Sequence, residues 1–372
     1  MELKPETTRL DYLDSTRGIA AMMVFVGHYI DLNYPEYLPF KFASLGFNAL
    51  DAVSFFFVLS GMVLSYPYFH LNKKLDIGQF YVNRIFRIYP AYLVVLIANA
   101  LYAFRYELGV GLSGFMDLFV YNKYSFWEEA CLIRGTTEHY SSIFNPGWTL
   151  TIEMGFSFLM PFIILIGKIN RKYVVWLLLA GFLTSNIVRE FFVHFILGVC
   201  LTLFFCDIQK ESFKNTFLYR YRALIIPVFI LLFSLRHISR IHEIGSSLIN
   251  LMNFVGFTFF LLSGLAAFVF LIYIIRFKKV QAFLMHPILL FYGRISYGIY
   301  LGHWILLRVV ADYWKSDILP AFPNKETAFI VVLLICFVLS SILAVLLHYF
   351  VELPFIKIGK KLVRKMKPTM TV

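Results

Sequence analysis

Charge is what this chain has least of. Only 15% of its 372 residues are Asp, Glu, Lys or Arg, against about 25% in an ordinary soluble domain. Hydrophobic residues make up 60%, and the mean hydropathy is +0.73. A soluble core of this chain length cannot hide so many apolar side chains, which excludes the usual globular classes. Cysteine is also scarce. Cys131, Cys200, Cys206 and Cys336 are scattered, three of them in apolar runs, with no paired spacing that would suggest a zinc site or a disulfide framework. No metal site is expected. The chain shows no low-complexity linker, no sustained internal repeat and no second soluble stretch. No A-x-A cleavage site follows the first apolar run, so that run reads as a retained helix and not as a signal peptide.

What is present is a succession of apolar runs. A bilayer core takes roughly 20 apolar residues per helix, with a usable range of about 17–25. Ten runs fit, near 13–34, 46–66, 88–105, 148–167, 173–188, 190–206, 223–235, 250–275, 288–307 and 327–350. Phe (42) and Tyr (23) supply material for lipid-facing surfaces and interfacial belts. Short cytoplasmic loops carry the excess of Lys and Arg. The N-terminus, the segments after every second run and the C-terminal tail hold 23 of the 34 basic residues; the five intervening loops hold 10, and Arg294 lies inside the ninth run. The expected fold is therefore all-α, a polytopic bundle of about ten transmembrane helices with both termini cytoplasmic. It forms a single membrane domain over 1–372, with a basic tail from about 355. The net charge of +12 then calls for anionic head groups and not for nucleic acid. The longest loop, about 106–147, falls on the outer face and carries Glu107, Asp117, Glu128, Glu129 and Glu138 against Lys123 and Arg134.

Against this background the informative residues are polar ones at membrane depth, where a charged group costs roughly 2.5 kcal/mol or more. His28 lies eleven positions after Arg17, and every residue between them is apolar or glycine. At 1.5 Å per residue the two are about 16 Å apart on nearly one helix face. Asp14, three before Arg17, shares that face. An acid, a base and an imidazole at graded depth read either as a proton-handling array or as a helix-end salt bridge beside a packed histidine. Arg84 and Arg87, also three apart, present guanidinium forks that match phosphate oxygens of a cytoplasmic donor; taken alone, positive-inside anchoring beside interfacial tyrosines is the plainer reading. Glu153 falls five residues inside an apolar run that opens with Trp148, so it must be paired, protonated or facing water. Ser296 and His303 share the ninth run with Arg294, and Glu352 precedes Pro354 at the end of the tenth. Structural hydrogen bonding is the plainer role for His303, and core packing for His194.

The order of these motifs resembles the acyltransferase-3 family of integral membrane acyltransferases. The match runs through Leu13-Asp14-Ser-Thr-Arg17-Gly18-Ile-Ala20 with His28, Phe56-Phe57-Val58-Leu59-Ser60-Gly61, Arg84 to Pro90, Trp148-Thr-Leu-Thr-Ile-Glu153, Ile295-Ser296-Tyr297 to His303, and Glu352-Leu-Pro354. Where that family has Gly-Val-Asp before its Phe-Phe-Val-Leu-Ser-Gly run, this chain reads Ala52-Val53-Ser54, with Asp51 offset by three residues. The resemblance implies transfer of an acyl group, usually acetyl from acetyl-CoA, to a hydroxyl of a carbohydrate or lipid-linked glycan. No tightly bound cofactor is implied, with acyl-CoA as co-substrate. It assigns His28 as catalytic residue, with Arg17 completing an Arg-x10-His pattern beside Asp14, and Arg84 with Arg87 as the acyl-CoA contact. Glu153, Trp148, Ser296 and His303 become substrate-contacting or structural polar residues. The expected protein is a stand-alone member in the bacterial plasma membrane, without the soluble esterase-like domain that some members carry. A transporter or flippase, or a non-catalytic component of a polysaccharide assembly system, would also show polar groups inside a ten-helix bundle.

Overall fold

Lacking water to satisfy backbone amides, a membrane-spanning chain must close its hydrogen bonds within helices or a barrel. The computed structural model describes residues 10–33, 49–105, 112–116, 119, 126–133, 142–183, 191–238 and 259–366, and among them there is no strand. Its main helices are α1 (Asp11–Asn33), α2 (Ala49–His70), α3 (Ile77–Ala103), α4 (Phe126–Ala130), α5 (Trp148–Ile169), α6 (Arg171–Leu183), α7 (Phe191–Leu203), α8 (Ile225–Ile238), α9 (Phe259–Arg276), α10 (Lys278–Leu284), α11 (Pro287–Tyr313), α12 (Lys325–Leu347) and α13 (Leu353–Met366). The described part of each of the ten apolar runs falls largely within one of these helices. Among the described residues five stretches are long and apolar enough to cross a membrane: Ala49–His70, Ile77–Ala103, Asn145–Ile169, Phe259–Arg276 and Lys325–Met366. Helices α1 and α11 stand outside that set. They carry Asp11, Asp14, Arg17 and Asp31 in one case and Arg294, Arg308 and Asp312 in the other. Glu107, Asp117, Lys123, Arg134 and Glu138 lie outside the described residues, as does the start of the eighth run.

Local chemistry sets several helix ends. The Asp76 carboxylate accepts from the Gln79 amide at 2.9 Å, so α3 starts at Ile77, three turns before the hydropathy run at 88. That places Arg84 and Arg87 inside a helix and not at its end. Asn324 caps α12 in the same way, accepting from the Thr327 amide at 2.8 Å. Pro67, Pro90 and Pro161 sit within α2, α3 and α5; a membrane helix tolerates them because neighbouring groups re-satisfy the freed carbonyls.

The chain divides into two compact units, one comprising 1–75 and 159–296, the other 76–158 and 297–372. In the first unit α2 packs against α1, α7 and α9, while α8 packs on α9 and α6 on α7. Apolar burial gives helices little reason to associate in lipid, so close backbone approach at small residues replaces it. A Cβ on Gly198 would stand 2.0 Å from the Val58 carbonyl oxygen, and one on Gly61 would stand 2.1 Å from that of Phe195. Between them these glycines set the α2–α7 spacing. A second pair brings the first turns of α1 to the start of α11, where a Cβ on Gly293 would meet the Asp14 carbonyl oxygen at 2.4 Å and one on Gly18 the Gly293 nitrogen at 2.7 Å.

In the second unit α4 and α13 both pack against α3. Gly298 and Gly302 of α11 meet Ala344 and Leu343 of α12. The basic tail is an amphipathic helix: Gly359 and Val363 are buried, Gly359 facing the Phe86 ring, while Lys357, Lys360, Lys361, Arg364 and Lys365 are exposed. Such a helix suits the head-group layer.

Candidate active site

Helix α1 runs unbroken from Asp11 to Asn33, so the eleven-residue interval does set Arg17 and His28 on nearly one face, about 16 Å apart along the axis. The first turns are held firmly. Arg17 Nη1 donates to Asp14 Oδ1 at 2.8 Å, Ser15 Oγ donates to the Leu284 carbonyl at 2.5 Å, and the Gly18–Gly293 approach leaves the helix little room to rotate. Asp14 and Arg17 are thus an ion pair, and Asp14 is a partner of Arg17 before it is anything else. His28 is partly exposed, bracketed by the buried Phe25, Gly27 and Tyr29. A partly exposed imidazole in a packed wall can exchange a proton with its surroundings.

A further acid in the first unit is Asp51 of α2. It is fully buried, and a carboxylate oxygen accepts from Ser263 Oγ of α9. Burial of a carboxylate inside a candidate span makes it a candidate site residue on physical grounds. His194 is also fully buried, with Nε2 at 2.9 Å from the Phe260 carbonyl oxygen, and acts as a helix tie.

In the second unit the structure joins two residues that stand 69 positions apart. Arg84 Nη2 is paired with Glu153 Oε1, and Arg84 Nε donates to Ser157 Oγ at 2.9 Å. Ser157 Oγ in turn lies 2.7 Å from the Glu153 carbonyl oxygen. Arg84 is only 9% exposed, whereas Arg87 is exposed. The two arginines are therefore not equivalent: the Arg84 guanidinium is committed to α5, while Arg87 lies at an exposed position. The sequence requirement that Glu153 be paired, protonated or wet is met by pairing.

Glu129 is the residue whose importance the sequence concealed, since it counts there as one loop acid among five. Its side chain is fully buried. Oε1 accepts from Ser142 Oγ at 2.9 Å and from the Ile143 amide at 3.0 Å, and Oε2 accepts from the Phe144 amide at 3.0 Å. Tyr92 Oη of α3 donates to the Glu129 carbonyl at 2.7 Å. The segment so held leads into Pro146, whose carbonyl accepts from Thr149 Oγ1 at 3.0 Å and from Tyr300 Oη at 3.1 Å. Trp148 then opens α5 with its position set from before and behind. Charge-assisted bonds to backbone amides are the stronger kind. Glu129→Gln, which turns an acceptor oxygen into a donor facing an amide, is expected to lower the thermal unfolding midpoint, at a cost on the order of 1–3 kcal/mol. An unfolding curve that overlays the parent's would overturn the assignment.

The remaining candidates make hydrogen bonds to groups three or four residues away in the chain. Ser296 Oγ donates to the Gly293 carbonyl of its own helix at 2.8 Å. His303 is fully buried, with Nδ1 at 3.1 Å from the Ile299 carbonyl oxygen. Glu352 Oε2 lies 3.0 Å from His348 Nδ1 within the π turn that joins α12 to α13, so its partner is that histidine and not a tail lysine.

The comparisons with known proteins bear on the whole of this arrangement. The O-acetyltransferase OatA of Staphylococcus aureus, in strains NCTC 8325 and COL, is 23% identical over 370 residues, covering 94% of this chain and 57% of the relative. The chain thus spans a little over half the length of the curated relatives it matches. No solved structure matches it. The family model described as "Acyltransferase domain" matches residues 10–349. That interval takes in most of both compact units, the Arg17–His28 face and the Arg84–Glu153 pair, and the chain belongs to the acyltransferase-3 family.

Proposed function

We propose that the protein is an O-acyltransferase of the bacterial plasma membrane that moves an acetyl group from acetyl-CoA to a hydroxyl of a cell-surface carbohydrate or lipid-linked glycan. Family membership supports acyl transfer, and the similar O-acetyltransferases from Staphylococcus aureus support acetyl as the group moved. The observation that carries the catalytic assignment is His28, a partly exposed imidazole in register with Arg17 on an otherwise apolar helix. A sugar hydroxyl is too weak an acid to attack a thioester unaided. His28 takes the hydroxyl proton as the oxygen attacks the thioester carbonyl, a step worth roughly 10²–10⁴ in rate. The tetrahedral adduct collapses with cleavage of the C–S bond, and the departing CoA thiolate recovers the proton from His28. Arg17 is fixed by Asp14 at the end of the same face. Arg87 supplies the exposed guanidinium for donor phosphates, and Arg84 holds α3 to α5 through Glu153.

Purified protein supplied with radiolabelled acetyl-CoA and candidate glycans tests this reading directly. Label appearing on the glycan is the expected result. Transmembrane movement of the glycan without label would replace the enzyme by a transporter.

A further inference from the structure

At the end of α3 remote from Arg84, the second compact unit carries a polar cluster that the proposed reaction leaves unused. Tyr102 lies eighteen residues beyond Arg84, about 27 Å along the helix, which puts the two at opposite ends of a candidate membrane span. Tyr102 Oη donates to Asp312 Oδ2 at 2.8 Å, and Arg105 Nη2 pairs with the same oxygen at 3.0 Å. The Arg105 guanidinium stands over the Tyr102 ring at 4.1 Å, and that of Arg308 lies 5.9 Å from the ring centre. Arg308 Nη1 reaches the Ile143 carbonyl at 3.4 Å. Among the described residues Arg308 forms no ion pair, since Asp312, one turn on, is turned toward Arg105.

This placement is unusual for a residue that merely reaches to the membrane surface. A guanidinium carries five donors, and here one is used, in a long bond to a carbonyl. Ile143 is itself fixed, because its amide is held by the buried Glu129. The Arg308 head group is therefore pinned between a ring and an anchored backbone, with its planar fork still to be filled. Among the described residues the cluster holds two arginines and one carboxylate, a balance that favours an anion. Asp312 and Arg105 are 40% and 30% exposed at their side chains, and Tyr102, Asp312 and Arg105 offer the mixed donors and acceptors that sugar hydroxyls require.

We propose that Arg308, with Tyr102, Arg105 and Asp312 around it, binds an anionic group carried by the acceptor glycan, a carboxylate or phosphate on a sugar. The word acceptor rests on the function proposed above; the binding itself does not. Arg308 fills its fork with the anion, and Asp312 and Tyr102 orient neighbouring hydroxyls.

Equilibrium binding to the purified full chain in neutral detergent tests this without any acyl donor. The probes are trigalacturonic acid, neutral galactotriose and glycerol phosphate. The acidic trisaccharide should bind at least about tenfold more tightly than the neutral one, and Arg308→Gln should weaken it by roughly 10- to 100-fold, the range for a charge-assisted pair. Galactotriose binding should not move, and Arg308→Lys should recover only part of the loss, since it restores charge but not the fork. Equal binding of the two trisaccharides, or unchanged binding in Arg308→Gln, overturns the proposal. So does glycerol phosphate binding through Arg308 in the absence of acidic-trisaccharide binding, which would make this a lipid head-group contact. Arg308-dependent glycan binding without any label transfer would instead sink the acetyltransferase reading and leave the site standing.

Discussion

His28→Ala is expected to insert, purify and unfold like the parent while transferring acetyl roughly 10²–10⁴-fold more slowly, the loss that follows removal of a general base. The side chain is partly exposed, so its truncation opens no large enclosed cavity. Its neighbours in the wall of α1, Phe25 and Tyr29, stay buried by contacts of their own. His28→Gln is the sharper variant. It keeps much of the bulk and a hydrogen-bonding group but supplies no basic nitrogen, so it should be as slow as the alanine. Transfer measured under single-turnover conditions at saturating acetyl-CoA separates the chemical step from donor binding. Parent-like transfer by either variant, with the same unfolding midpoint, would remove His28 from the mechanism.

Arg84→Ala should produce the largest loss of stability among the single changes at the candidate site. Breaking one side of a buried ion pair costs about 3–5 kcal/mol. Glu153 is 23% exposed at its side chain, so a figure on the order of 2–3 kcal/mol is expected once solvent screening is allowed for. The variant also loses the Nε bond to Ser157. Arg87→Ala, at an exposed position on the same helix, should lower the unfolding midpoint less than Arg84→Ala does and raise the acetyl-CoA concentration needed for half-maximal transfer. The two arginines are thereby predicted to fail differently, one in stability and one in donor dependence. Arg84→Met combined with Glu153→Met should regain much of the stability, because removing both charges removes the uncompensated one. Identical behaviour of Arg84→Ala and Arg87→Ala in thermal unfolding and donor titration would refute the division of roles.

The two predictions draw on different kinds of information. The placement of His28 is visible in one stretch of chain, because an ionisable residue eleven positions from an arginine in an apolar run needs only helical periodicity to be placed. The fate of Arg84 is not visible in that way. In the sequence Arg84 and Arg87 look alike, as membrane-edge anchors or phosphate ligands; the chain folds so that one of them faces Glu153 and Ser157 on α5. Hydropathy also misplaced the start of α3, since the polar turns from Ile77 to Arg87 are helical by virtue of the Asp76 cap and carry too little apolar character to register as a span. Glu129 escaped for the same reason. Its partners are backbone amides at Ile143 and Phe144, and an amide leaves no mark in a sequence.

By itself the sequence determined the all-helical membrane class, the order of the helices, and the register of Asp14, Arg17 and His28, since each depends on local composition and a fixed rise per residue. Only the tertiary structure decided which charges neutralise one another, which glycines let helices touch, and which acid anchors the segment before Trp148. Those are contacts between residues far apart in the chain, and their existence depends on backbones approaching within a few ångströms, a distance that no pattern along a single helix encodes.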